Sequence, residues 1–245
     1  MNSRWVAVAG AAGDIGQALA ARAKSEGFSV LAIDKSIPGQ FVDEMLQFDL
    51  TSLTSEKISQ IVTRTQHLNL HHLFAVVGGA LSLELLNADR ARVPIEVARE
   101  TFELNVLSVI GLVDALLPAI RRATHDRSIT AVSSINALGG YGAPAYSASK
   151  AALSGLVAAL SDLLAPEGIR VNAVALGTTL TANLVRLLED QGRTVQSLTV
   201  PRRFPFGRPL SAEEAADAVF EMATNLRIVT GQTVIADAGQ TLRRL

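Results

Sequence analysis

The chain has 245 residues, 49% of them apolar and 4% aromatic, with no cysteine and a formal net charge of −1. That length supplies the core of one large α/β domain, residues 1–245, without requiring a second, and the small charge with no long basic stripe offers no bulk attraction for nucleic acid. Disulfides and cysteine-based metal sites are excluded, and the four scattered histidines, His67, His71, His72 and His125, give no basis for a metal centre.

In chain order, Arg4-Trp-Val-Ala-Val-Ala reads as a buried strand that starts almost at Met1 and leaves no room for a signal peptide. No apolar run approaches the length of a membrane span, so a soluble, cytoplasmic protein is expected. Further strands are expected near 28–33, 73–77, 128–133, 169–175 and 232–236, with His71-His72 as a strand entrance. Helices are expected near 15–26, 55–66, 96–121, 145–164, 181–190 and 211–224. Strands alternating with helices imply a parallel sheet covered on both faces, with ligands along the carboxyl ends of the strands. The stretch 178–210, containing Pro201-Arg-Arg-Phe-Pro-Phe-Gly-Arg-Pro, reads as an irregular lid.

The chemistry sits at those strand ends. After the first strand comes Gly10-Ala-Ala-Gly-Asp-Ile-Gly16, then a helix. Gly10 permits a tight turn, Gly16 permits close helix packing, and the helix N-terminus favours a pyrophosphate. The second strand ends at Asp34, about twenty residues past the turn, where a carboxylate can bind ribose hydroxyls. The strand Ser128-Ile-Thr-Ala-Val-Ser-Ser ends in two hydroxyls, Ser133 and Ser134. The turn-rich Gly139-Gly-Tyr-Gly-Ala-Pro-Ala then lets the chain double back towards Ala145-Tyr-Ser-Ala-Ser-Lys. One helical turn places Tyr146 and Lys150 on one face. An ammonium beside a phenol favours the phenolate and would draw its pKa from about 10 towards neutrality.

Together these motifs resemble the short-chain dehydrogenase/reductase family in its compact form, almost from end to end. The resemblance implies a single-domain, Rossmann-type doubly wound parallel sheet and hydride transfer between a nicotinamide and a secondary alcohol or ketone. It implies a catalytic set of Asn105, Ser134, Tyr146 and Lys150. Ser134 would polarise the substrate oxygen, Tyr146 would exchange the proton, Lys150 would lower its pKa and hold the ribose, and Asn105 would anchor a water beside the lysine. In Phe48-Asp49-Leu50, Asp49 would contact the adenine amino group and Leu50 would flank it. Thr179 and Thr181 would meet the nicotinamide carboxamide, and Gly10, Asp14, Ile15 and Gly78 complete the cofactor contacts. A homotetramer is the family expectation, with helices 96–121 and 145–164 between subunits.

Several positions depart from the family pattern. Asp14 stands where compact members have glycine; it would cap its own helix and cost affinity for a pyrophosphate unless it points away. Val76-Val-Gly-Gly-Ala80 replaces Asn-Asn-Ala-Gly, with the backbone of Gly78 and Gly79 as substitute. Leu176 replaces a proline and Ala238 a glycine. The serine-to-tyrosine spacing selects Ser134 and leaves Ser133 open. For the cofactor, Asp34 would repel a 2′-phosphate and Ala11, Ala12 and Gly13 offer no cation, which favours NAD(H) over NADP(H); Lys35 is the counterargument. Substrate would meet Ser134, Leu138, Tyr141 and Tyr146. Leu184, Phe204 and Phe206 would form an apolar wall; Arg202 or Arg203 could meet a carboxylate or phosphate, but solvent exposure is the expected fate of a charged loop residue. Alternative readings are a non-catalytic dinucleotide-binding sensor or scaffold, an NADP(H)-dependent ketoacyl reductase, and an epimerase or dehydratase of the extended relatives.

Overall fold

A computed structural model describes residues 4–86, 89, 91–139, 141–198 and 204–243. Seven parallel strands form one sheet: β1 Trp5–Ala9, β2 Ser29–Asp34, β3 Glu44–Gln47, β4 Leu70–Ala75, β5 Arg127–Ser134, β6 Ile169–Leu176 and β7 Thr233–Ala236. Their order across the sheet is β3-β2-β1-β4-β5-β6-β7. The helices are α1 Asp14–Ser25, α2 Ser55–Arg64, α3 Ser82–Leu85, α4 Ile95–Phe102, α5 Ser108–Arg122, α6 Pro144–Leu164, α7 Ala182–Asp190 and α8 Ala212–Thr224. The central strands are near-continuous apolar runs because both faces are covered. In β1, Val6 and Val8 point into one layer with α1 and α8, and Ala7 and Ala9 into the other with α5 and α6.

The chain reverses direction across the sheet between β1 and β4, the position at which such sheets open a crevice at their carboxyl edge. Gly10 follows β1 there and Val76 follows β4. The expected strands and helices are present near their expected positions, with two additions. Edge strand β3 escapes a pattern reading because it has four residues and one buried position, Leu46. The one-turn helix α3 is also new. The expected helix 96–121 is continuous from Ile95 to Arg122 but carries a π-helical turn at Glu103–Leu107, which contains Asn105.

The expectation that no segment reaches membrane-span length needs correction. Helices Ile95–Arg122 and Pro144–Glu167 are long and apolar enough by length and composition, with mean hydropathies of 1.7 and 1.3. Helices lying against a sheet pass the same test, since their inward face is apolar by necessity; α5 and α6 both contribute side chains to the core beside β4, β5 and β6.

His71 and His72 lie inside β4, not at its entrance, and both are buried. The His72 Nδ1 is 2.8 Å from Ser128 Oγ, while its Nε2 has no partner. Burial pushes its pKa down to about 3. In an unfolded chain the ring takes up a proton near pH 6.5. As pH falls from about 6.5 towards about 3, the unfolded state therefore gains a proton that the native state refuses, and stability declines; above that window the ring is neutral in both states. Urea unfolding of the wild type and His72→Phe at pH 7.5 and 5.5 should show a shallower loss in the variant, by up to one proton's worth, or about 1.4 kcal/mol per pH unit. Equal losses in both proteins would sink this assignment.

Candidate active site

The glycine turn is built by steric demand. Gly10 has φ +86°, and a Cβ there would stand 2.7 Å from Val77 N. A Cβ on Gly16 would stand 2.1 Å from Gly10 O, so α1 can approach the turn only through glycine. Gly13 precedes α1 and no side chain caps the helix, which leaves the first-turn amides of Asp14, Ile15 and Gly16 without intrahelical acceptors. Asp34 stitches the end of β2 to this turn: Oδ2 accepts from Ala12 N at 3.0 Å and Oδ1 from Ser36 N at 2.9 Å. Asp49 accepts from the N–H and hydroxyl of Thr51 at 3.0 and 2.7 Å, and these bonds hold its carboxyl below the usual range.

Asp14 does not cap its own helix. Its Oδ2 accepts from Ala182 N at 2.6 Å, at the start of α7, so it ties the glycine turn to the 178–210 segment. Thr181 caps α7 by accepting from Leu184 N at 3.2 Å, and Thr179 Oγ1 donates to Gly177 O at 3.1 Å. In its described part, 178–198 and 204–210, the segment is less irregular than expected: Leu188, Leu198 and Phe204 form a small core of their own with Leu184 and Val195.

On the other side of the crevice the two serines separate. The Ser133 hydroxyl donates to Lys150 O at 3.1 Å and is committed to the backbone of α6. Ser134 Oγ accepts from Asn136 N at 3.2 Å and donates to Asn136 Oδ1 at 3.3 Å, and its hydroxyl is near enough to the Tyr146 phenol to favour the phenolate. The Lys150 ammonium is buried, donates to Val132 O at 2.7 Å and lies 5.9 Å from the centre of the Tyr146 ring. Burial pushes Lys150 down to about 8 and raises the Tyr146 phenol above its usual value, against the opposing influence of the Ser134 hydroxyl. By sequence the lysine would draw the phenol towards neutrality; in this geometry desolvation of the phenol is the largest influence and acts in the opposite direction. Each charge alone is penalised, so phenolate and ammonium are best tolerated together.

Asn105 is fully buried behind the crevice wall. Its Oδ1 accepts from Gly79 N and its Nδ2 donates to Gly79 O and Thr101 O, each at 2.9 Å. Gly79 backbone is thus clamped by a side chain, and a Cβ at Gly78 would strike Asn105 Oδ1 at 2.5 Å.

These groups border one cavity of about 670 Å³. Gly10, Asp14, Ile15, Asp34, Asp49, Leu50 and Gly78 line one part of its wall, and Ser134, Tyr141, Tyr146, Lys150, Thr179 and Thr181 another. Leu138 is not in the wall; it follows a short 3-10 turn and is 51% exposed. Of the expected apolar wall, Leu184 lines the cavity, with Leu85, Leu104 and Leu187 beside it, whereas Phe204 is spent in its small core and Phe206 is 76% exposed. Gly140, Arg202 and Arg203 lie outside the described residues. Sequence reasoning missed Glu84, whose carboxylate accepts from Ala145 N and Tyr146 N at the start of α6. Among the described residues no cluster of three or more His, Asp or Glu side chains could hold a metal ion.

The family profile described as enoyl-(acyl carrier protein) reductase matches residues 10–241. An L-rhamnose 1-dehydrogenase (NAD(P)(+)) from Sphingomonas sp. is 33% identical over 60% of this chain, but the match spans only 57% of that relative. A 1,2-dihydroxy-1,2-dihydronaphthalene dehydrogenase from Pseudomonas putida is 32% identical over 74% of this chain and 72% of its own length. Among solved structures, a short-chain oxidoreductase from Burkholderia thailandensis superposes with a TM-score of 0.84 at 26% identity, covering 99% of this chain and 94% of the other. With a seven-stranded parallel sheet, a glycine turn at its switch point and a match over nearly the whole length, the chain belongs to the classical short-chain dehydrogenase/reductase family of oxidoreductases.

Proposed function

We propose that this protein interconverts a secondary alcohol and a ketone with NAD(H), using Ser134, Tyr146, Lys150 and Asn105. The observation that carries this reading is the convergence of Ser134, Tyr146 and a buried Lys150 on the wall of one cavity. A dinucleotide fits the residues present. At the turn Gly10–Gly16 the Asp14 carboxylate is held by Ala182 N, and the first turn of α1, with no side-chain cap, borders a cavity of about 670 Å³. Asp34 would hold the adenosine ribose, since each carboxylate oxygen keeps a lone pair beyond its backbone bond. Asp49 and Leu50 would flank the adenine, Tyr146 and Lys150 the second ribose, and Thr179 and Thr181 the carboxamide. The segment 178–210 would act as the lid.

A bound nicotinamide supplies the hydride acceptor or donor. The protein moves the proton. In oxidation, Tyr146 as phenolate takes the proton of the alcohol; in reduction it returns one to the carbonyl oxygen. Ser134 donates a hydrogen bond to that oxygen and orients it towards Tyr146. Lys150 offsets the phenolate charge in a site where either charge alone is costly. The exposed apolar side chains of Leu107, Ile110 and Leu163 on the long helices support subunit contacts on those faces, in a homotetramer or a dimer.

Titration with NADH and NADPH by nicotinamide fluorescence, followed by turnover on a panel of ketones, ketoacyl thioesters and keto sugars, tests the reading. NADH binding with turnover supports it. Binding without turnover on any of them points to a sensor or scaffold, and preferential turnover of thioesters with NADPH to a ketoacyl reductase. Asp34→Ala should narrow the preference for NADH over NADPH about tenfold, the equivalent of one lost charge contact of about 1.4 kcal/mol. Continued rejection of NADPH would show that another residue sets selectivity.

A further inference from the structure

We propose that Glu84 is a positioning residue for Tyr146, holding the phenol in register from a separate element through the first free amides of α6. The proposal rests on the proton-transfer role argued for Tyr146. Helix α6 begins without a local side-chain cap for its first amides. Gly142 and Ala143 are both left-handed, with φ of 77° and 52°, Pro144 has no N–H, and no side chain at the N-cap position accepts a bond. The N–H groups of Ala145 and Tyr146 are therefore orphan donors. Both are taken by one side chain 61 and 62 residues upstream: Glu84 Oε1 lies 2.7 Å from Ala145 N and Oε2 lies 3.2 Å from Tyr146 N.

Glu84 is 4% exposed, and a buried carboxylate is costly unless charge-assisted bonds and a favourable field hold it. Here two amides and the positive end of the 21-residue α6 supply both. A serine or aspartate at position 143 would cap the helix locally. Capping from α3 instead makes the first turn of α6 follow the placement of α3. That helix carries Leu85 on the cavity wall and begins three residues after Gly79, which Asn105 clamps through both backbone groups. Asn105, Gly79, Glu84 and Tyr146 thus form one braced path along the crevice. Two bonds from one planar carboxylate fix both the axial position and the roll of that turn. Tyr146 is on the turn itself, so any error passes directly to its hydroxyl.

The experiment uses Glu84→Ala, Glu84→Gln and Glu84→Asp. The chain contains two tyrosines and one tryptophan. Labelling with ¹³Cζ-tyrosine gives two signals, and the one lost in Tyr146→Phe belongs to Tyr146. Trp5, on β1, reports the fold. In Glu84→Ala the Tyr146 signal should move or split while Trp5 emission is unchanged. On a panel ketone the wild type turns over, kcat should fall about 10- to 100-fold, as expected for a displacement of about an ångström, with the KM for NADH within about threefold. Glu84→Gln keeps the reach and one acceptor, and should recover more than Glu84→Asp, which keeps the charge but is one methylene short. An unmoved Tyr146 signal in Glu84→Ala overturns the proposal, whatever happens to the melting temperature, because Glu84 is then a helix cap only. Recovery by Asp beyond Gln also overturns it, by assigning the effect to charge. If Glu84→Ala does not fold, the Tyr146 signal of Glu84→Asp, whose carboxylate is one methylene short of both amides, decides in the same way. The spectroscopic reading needs no substrate, so failure of the oxidoreductase reading shows as absent wild-type turnover and failure of this proposal as an unmoved signal.

Discussion

Tyr146→Phe should lower turnover by about 10²- to 10⁴-fold, the range contributed by a positioned general acid or base. The NADH dissociation constant should stay within a few-fold. The two effects separate because the substitution removes one oxygen and leaves the surrounding bonds in place. Ser134 retains Asn136, and Lys150 retains Val132 O at 2.7 Å. A phenyl ring fits where the phenol stood, so neither the wall nor the glycine turn has reason to shift. Single-turnover mixing of NADH-loaded protein with a panel ketone, beside fluorescence titration, measures both quantities. Near-normal turnover would remove Tyr146 from the mechanism. The pH dependence has a definite sign. Burial raises the Tyr146 phenol above its usual value. Oxidation, which needs the phenolate, should therefore accelerate as pH rises through the alkaline range, whereas reduction, which needs the phenol, should not. Both dependences should vanish in the Phe variant.

What the sequence made readable follows a physical rule. The glycine turn was legible because close backbone approach admits one residue type: Gly10 against Val77 and Gly16 against Gly10 leave no room for a Cβ. The pair Tyr146 and Lys150 was legible because helical periodicity alone sets its geometry. Strands β1, β2, β4, β5 and β6 were legible because burial on two faces favours apolar runs. What stayed hidden depends on partners remote in the chain. The carboxylate of Asp14 meets an amide 168 residues away, and that of Glu84 meets amides 61 and 62 residues away. Nothing in the local pattern distinguishes either from a solvated surface acid. Leu138 was misplaced for a related reason: its neighbours Asn136 and Ile135 line the cavity, but the 3-10 turn at Ile135–Ala137 carries the next side chain outward. Ser133 and Ser134 are equal by composition, and the backbone carbonyl of Lys150 distinguishes them.

Gly16→Ala carries the other large effect, and its sign runs against the usual rule. In an exposed helix interior, replacing glycine by alanine stabilises by about 0.5–1 kcal/mol. Here the new methyl would lie 2.1 Å from Gly10 O, 2.8 Å from Ala11 Cα and 2.9 Å from Gly10 C. All three are backbone atoms, so no side-chain rotation relieves the contact. Helix α1 must then move off the turn, and overpacking of this kind costs about 1–3 kcal/mol. The displacement also reaches function, because the same turn carries Ala12 N, which Asp34 holds at 3.0 Å, and Asp14, which holds Ala182 N at 2.6 Å. Moving α1 strains both bonds and withdraws the helix amides from the cavity at once. NADH affinity should accordingly fall by about 100-fold, equivalent to about 2.7 kcal/mol, a larger loss than Asp34→Ala produces alone. Urea midpoints with and without NADH, read beside the fluorescence titration, separate the two contributions: the ligand-free midpoint reports the clash, and the smaller NADH-induced rise reports the lost amides. A Gly16→Ala protein that unfolds at the wild-type midpoint and binds NADH normally would show that α1 does not need to approach the turn, and that the anion site lies elsewhere on the crevice.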